Sequence, residues 1–136
     1  MGLDYGEKRI GVAVSDPLEL TAQAVATIEN TGDTNVIEDI KGIMGNYSGI
    51  EEIVIGLPKN LKGEIGPSAQ KVLDFVEILK KEFSVPITAW DERMTTVQAE
   101  RMFQEAGIKG KKRRGLIDKT AAAFILQNYL DRKSMK

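Results

Sequence analysis

Four acidic residues stand where a carboxylate is conspicuous: Asp4 ends a short apolar run at the start of the chain, Asp91 and Glu92 end another, and Asp118 shares a helical pattern with Ala122, Ile125 and Tyr129. Strand ends in an open α/β sheet face a common crevice. Carboxylates brought together there repel one another, and a hard divalent cation, Mg²⁺ or Mn²⁺, holds them ionised side by side. Two such ions can activate a water and stabilise a leaving oxygen in phosphodiester hydrolysis, a chemistry that needs no histidine or cysteine. This chain has neither. That excludes disulfides, zinc thiolate sites and cysteine nucleophiles, and it leaves catalysis to carboxylates, lysines or hydroxyls.

Each acid also has a plainer reading. Asp4 before Tyr5-Gly6 suits a turn, and Asp91-Glu92 suits a solvated strand end. Asp118 is harder to dismiss, because Ala121, Ala122 and Ile125 share its side of the helix and an unpaired charge there is costly. Between these acids runs Lys109-Gly110-Lys111-Lys112-Arg113-Arg114-Gly115, with five basic residues in its first six positions. As a glycine-flanked loop it is either a solvated segment or a cationic arm for a phosphate backbone, to which Lys8 and Arg9 would add. The stretch 63–66 has the wrong glycine, lysine and hydroxyl spacing for a phosphate loop. Trp90 reads as packing.

The elements that must carry these residues follow from periodicity. Strands are expected at 1–4, 9–14 and 24–28, with 5–8 as a turn, which makes an antiparallel meander. Asp33 or Thr34 caps a helix with Val36, Ile37, Ile40, Met44 and Tyr47 at helical spacing, weakened by Gly42 and Gly45. The apolar run 53–57 suits a strand buried on both faces near the sheet centre. Gly66-Pro67 opens a helix with Val72, Phe75, Val76, Leu79 and Phe83 in one stripe. A strand at 86–90 leads into Asp91-Glu92-Arg93. Thr95 and Gln98 form a capping box for a helix that ends at Gly107. The last helix covers about 116–130.

The whole chain bounds the choice. Its 136 residues suffice for one domain with a real core and not for two ordinary ones. Hydrophobic residues at 42% against charged residues at 29% are the balance of a soluble globular protein. No apolar stretch spans a bilayer and the opening residues carry no signal-peptide core, so a cytoplasmic protein without membrane contact is expected. A net charge of −1 means that any nucleic acid is held by a local patch.

Four ordered motifs then resemble one family. Gly2-Leu3-Asp4-Tyr5-Gly6 with Arg9-Ile10-Gly11-Val12-Ala13 and Ser15-Asp16, Gly56-Leu57-Pro58, Asp91-Glu92-Arg93 with Thr95-Thr96, and Asp118 with Ala121-Ala122 and Ile125-Leu126 are similar to the YqgF (RuvX) family. The likeness spans nearly the whole chain, although only Met1 precedes Gly2, which shortens the expected first strand. It implies an RNase H-like fold and an acidic metal site made by Asp4, the acid of Asp91-Glu92, and Asp118, supported by Arg9 and the threonines. It also implies a nuclease, acting on the 5′ end of precursor 16S ribosomal RNA or on Holliday junctions.

The expectation is therefore one α/β domain over 1–136, with an RNase H-like mixed five-stranded sheet, a meander followed by parallel strands, flanked by helices. It is a metal-dependent nuclease for structured nucleic acid, RNA favoured over a DNA junction, and a monomer or weak homodimer. Asp4, Glu92 and Asp118 are the expected metal ligands, with Asp91 competing for the place of Glu92. Arg9, Lys111, Lys112, Arg113 and Arg114 are the expected phosphate contacts. A binding module that has lost catalysis is the rival reading. A phosphotransferase of the actin and sugar-kinase type lacks room for its second lobe.

Overall fold

The computed structural model describes residues 1–59, 62–91 and 110–134, the backbone alone for 110–120 and 134. In chain order its elements are β1 (Gly2–Tyr5), β2 (Arg9–Ser15), β3 (Ala22–Glu29), α1 (Asp33–Gly45), β4 (Ile53–Leu57), α2 (Pro67–Glu82), β5 (Ile87–Asp91) and α3 (Gly110–Ser134). The expected capping box at Thr95 and the helix ending at Gly107 lie outside the described residues.

The five strands form one sheet in the order β3-β2-β1-β4-β5. β1, β2 and β3 pair antiparallel, and β4 pairs parallel with both β1 and β5. This is the expected meander followed by parallel strands. β4 is flanked on both sides and every residue in it is buried, as an uninterrupted apolar run requires. Ahead of it the pairing continues to Met1, whose carbonyl accepts from the Val54 N–H at 2.8 Å.

Strand alternation divides the side chains between two unlike faces. On one, Leu3, Ile10, Val12, Val14, Ile53, Ile55 and Leu57 pack against α1 and α2 through Val36, Ile37, Ile40, Val72, Phe75 and Leu79. Tyr5 meets Phe75 edge-on, ring centres 4.5 Å apart. Pro67 lies in the first turn of α2, where its missing N–H costs nothing. The other face carries α3, and its core is smaller: Ala13 and Val54 beneath Ala122, Ile125, Leu126 and Leu130.

α3 runs antiparallel to β1. A Cβ placed on Gly2 would stand 2.8 Å from the Leu126 Cβ and 3.0 Å from the Ala122 carbonyl oxygen, so only glycine admits the helix at this depth. α3 also begins at Gly110, six residues before the start expected from sequence. The basic run is thus not a glycine-flanked loop: Lys111, Lys112, Arg113 and Arg114 have helical backbone. The propensities explain the error, since lysine and arginine favour helix and outweigh the roughly 1 kcal/mol that Gly115 costs.

The contact at Gly2 generates a prediction. Gly2→Ala overpacks the seam between β1 and α3 and lowers the unfolding free energy by about 1–3 kcal/mol in chemical denaturation, without changing the helix content.

Candidate active site at the C-terminal end of the first strand

The pairing register decides what surrounds Asp4. Asp4 lies opposite Gly11 on β2. On the other side β1 pairs with β4 at Leu3 and Ile55, which brings Gly56 beside Asp4 one residue further on. Residues side by side in a sheet share a face, so Asp4 rises on the α3 face between two strands that carry no side chain at its level. Gly11 and Gly56 are both buried. Glycine inside a strand weakens it and persists where something must approach the backbone closely. The two glycines make a floor without side chains beside this carboxylate. Arg9 rises on the same face, two residues along β2 from Gly11.

Height above that floor brings in α3. From Gly2 to Asp4 the strand advances about 6–7 Å. From Ala122 back to Asp118 the helix retreats about 6 Å in the same direction. Since Gly2 lies beneath Ala122 and Leu126, the helix backbone running back to Asp118 extends toward the Asp4 end of β1.

Asp91 does not join them. It pairs with Leu57, whose side chain lies in the core beneath α1 and α2. Asp91 therefore belongs to the face away from Asp4, whereas Trp90, the preceding residue, reaches the Tyr129 ring on α3, centres 5.3 Å apart. Glu92, Thr95 and Thr96 lie outside the described residues. Among the described residues no three acids gather into a metal-binding group.

The β1–β2 turn that holds Asp4 is built from its neighbours. Asn30 donates its side-chain amide to the Gly6 carbonyl at 2.9 Å and its backbone N–H to the Lys8 carbonyl at 2.9 Å. Lys71 on α2 pairs with Glu7, and that bond holds the Glu7 carboxyl below its usual range. A cleft of about 90 Å³ between Tyr5, Gly6, Pro58 and Lys71 adjoins this turn.

The larger cleft, about 370 Å³, is at the opposite end of the sheet, among Asp16, Glu19, Tyr47, Glu52, Tyr129 and Lys133. Its acids are committed to structure. The Asp16 carboxylate accepts from the backbone N–H groups of Leu20 and Thr21 at 2.7 and 2.8 Å, and these bonds, that from Thr21 foremost, hold it below the usual carboxylate range. Asp16 is thus the organiser of the β2–β3 loop, remote from Asp4. Sequence reasoning singled out the acids but missed Gly11 and Gly56. Their signal, a glycine interrupting an otherwise apolar strand, is legible only with the register in hand.

A five-stranded mixed sheet, an antiparallel meander followed by parallel strands and flanked by helices, is the α/β architecture of the RNase H-like class. The fold matches a solved structure described as "Crystal structure of Fowlpox virus resolvase and substrate Holliday junction DNA complex", with a TM-score of 0.56 at 12% identity over 97% of this chain and 96% of that one. Residues 1–132 match the family described as "RuvX: Holliday junction resolvase". A Halothermothrix orenii protein named "Putative pre-16S rRNA nuclease" is 50% identical over 131 residues, 96% of this chain and 93% of that protein. One of the same name from Clostridium kluyveri is 49% identical over 134 residues, 98% of this chain and 97% of its own. The chain belongs to the RuvX family.

The turn supplies a test of local geometry. A Cβ on Gly6 would come within 2.6 Å of the Arg9 carbonyl oxygen, a backbone atom that cannot swing aside. Gly6→Ala therefore opens the β1–β2 turn and lowers the thermal midpoint. Asn30→Ala, which removes one hydrogen bond from the same turn, costs about 1 kcal/mol in urea unfolding.

Proposed function

We propose that this protein is a metal-dependent nuclease of the cytoplasm that hydrolyses phosphodiester bonds in structured nucleic acid, with the 5′ end of precursor 16S ribosomal RNA as its substrate. The observation that supports the reading is Asp4 on a glycine floor, at the end of β1 toward which the helix backbone runs back to Asp118. Carboxylates there are hard oxygen donors, the chemistry that Mg²⁺ and Mn²⁺ select. Asp4 and Asp118 are the proposed ligands. Asp91 belongs to the opposite face, which favours Glu92 over Asp91 as the third.

When bound, the ions supply an activated water and charge stabilisation at the leaving oxygen. The chain supplies placement. Gly11 and Gly56 add no side chain beside Asp4, Arg9 offers a cation on the face of Asp4, and Lys111, Lys112, Arg113 and Arg114 gather positive charge at the end of α3 nearer Asp118. Contacts of that kind position a phosphate backbone without reading its bases.

RNA is favoured over a four-way junction because paired cuts need two sites at fixed separation in a dimer. Among the described residues the large exposed apolar side chains are Leu18, Leu20, Tyr47 and Ile65. None of these makes a broad apolar patch among the described residues, which is in keeping with a monomer or a weak homodimer. The names of the relatives also support RNA, and the family description and the fowlpox resolvase keep the junction as the alternative.

Asp4→Asn is expected to keep the circular dichroism of the wild type and to lose at least about 100-fold in Mn²⁺-dependent cleavage of a precursor rRNA 5′ segment. Wild-type rates in the folded variant would overturn the site. Symmetric nicks in a synthetic junction with the RNA left uncut would reverse the substrate.

Replacing two of Lys111, Lys112, Arg113 and Arg114 with alanine is expected to flatten the plot of log affinity against log salt by about 1–2 units, equally for unrelated sequences. An unchanged slope removes these residues from the nucleic-acid contact.

A further inference from the structure

One carboxylate in the fold is bound far more heavily than its place in the sequence suggests. Glu52 precedes β4, and its Oε2 accepts from the Thr88 hydroxyl on β5 at 2.7 Å and from the Tyr129 hydroxyl on α3 at 2.6 Å. Its own carbonyl accepts from the Met1 ammonium at 2.9 Å. A single residue thus ties β1, β4, β5 and α3 together at the end of the sheet away from Asp4.

Among the described residues the remainder of the α3 seam is apolar. Ala121, Ala122, Ile125, Leu126 and Leu130 bury small or flexible side chains, and such contacts are non-directional, so they fix the depth of the helix better than its rotation. Among the described residues direction comes from Gln127 and Tyr129, and at the helix end from Lys133, which pairs with Glu19 at 3.4 Å. Gln127 accepts from the Ala22 N–H at 2.9 Å and donates to the Leu20 carbonyl at 3.0 Å, on the β3 flank. Tyr129 reaches Glu52 and Trp90 on the β5 flank. These bonds resist a roll of the helix from both sides.

We propose that Glu52, acting through Tyr129, is a positioning residue for the acid site: it sets the rotation of α3 and so the placement of Asp118 relative to Asp4. The inference rests on the reading of Asp4 and Asp118 as metal ligands. Asp118 and Tyr129 are eleven residues apart, close to three full turns and about 16 Å, so they fall on one side of the helix. A roll of about 10° moves a group about 5 Å from the helix axis by about 1 Å. That exceeds the roughly 0.5 Å within which such constellations function. Burial first, and then the bond to Glu52, push the Tyr129 phenol up to about 12, so it remains a donor at any assay pH.

The test measures Mn²⁺ affinity by calorimetry on the full chain, alongside unfolding free energy and without substrate. Glu52→Ala is expected to weaken Mn²⁺ binding about 10-fold in protein that is still folded, the size of effect seen when groups that orient metal ligands are lost. Glu52→Gln restores affinity to within about 2-fold, because an amide oxygen has two lone pairs and can accept from both hydroxyls. Tyr129→Phe deletes one oxygen, keeps the ring packing, and reproduces the loss if Glu52→Ala does not fold. A role in stability alone lowers the unfolding free energy and leaves the Mn²⁺ affinity of the folded variant unchanged, which overturns the proposal. Asp118→Asn is the control. If it loses Mn²⁺ binding while Glu52→Ala and Tyr129→Phe do not, this inference fails alone; if Asp118→Asn also binds normally, the reading of the acid site fails and this inference with it.

Discussion

The close approach of α3 to β1 is the constraint on which the site depends. On the strand face beneath the helix, Gly2 lets α3 come close to β1 at one end, and Gly11 and Gly56 flank Asp4 without side chains at the other. The opposite face is filled with leucine, isoleucine, valine and phenylalanine. The sheet therefore separates its tasks. One face holds the domain together, with Phe75, Leu79, Ile40 and their neighbours fully buried, and the other sets a helix at a controlled height over a carboxylate.

The parts of the fold legible in the sequence were those whose signal is local. The run 53–57 has no polar residue and is a central buried strand. Pro67 and the stripe from Val72 to Leu79 belong to a helix. The meander followed because its strands are short and separated by turn residues. The start of α3 was misread because glycine on each side of the basic residues resembles a loop, whereas the helix absorbs Gly115 once its later turns are packed.

The harder parts depend on register, which one strand does not contain. Asp91 and Glu92 are adjacent, and alternation alone gives them opposite faces without saying which is which. The pairing of Leu57 with Asp91 removes that ambiguity for Asp91. Glu52 was passed over for the same reason. With Glu51 before an apolar strand it reads as a solvated charge, and only the meeting of Thr88 and Tyr129 at one oxygen gives it partners. Gly11 and Gly56 likewise gain meaning only when they flank Asp4.

The first turns of α3 carry a further consequence. A helix gathers positive potential at its N-terminus from aligned peptide dipoles, and cations placed there are unfavourable by about 0.3–1 kcal/mol each at low salt. Lys111, Lys112, Arg113 and Arg114 occupy those positions with no acid in the first turn to offset them. This end of the helix is therefore held under electrostatic repulsion, and a polyanion laid against it relieves that repulsion as it binds. In the proposed contact, the helical form of these residues and the binding of a nucleic-acid backbone are linked equilibria, each strengthening the other.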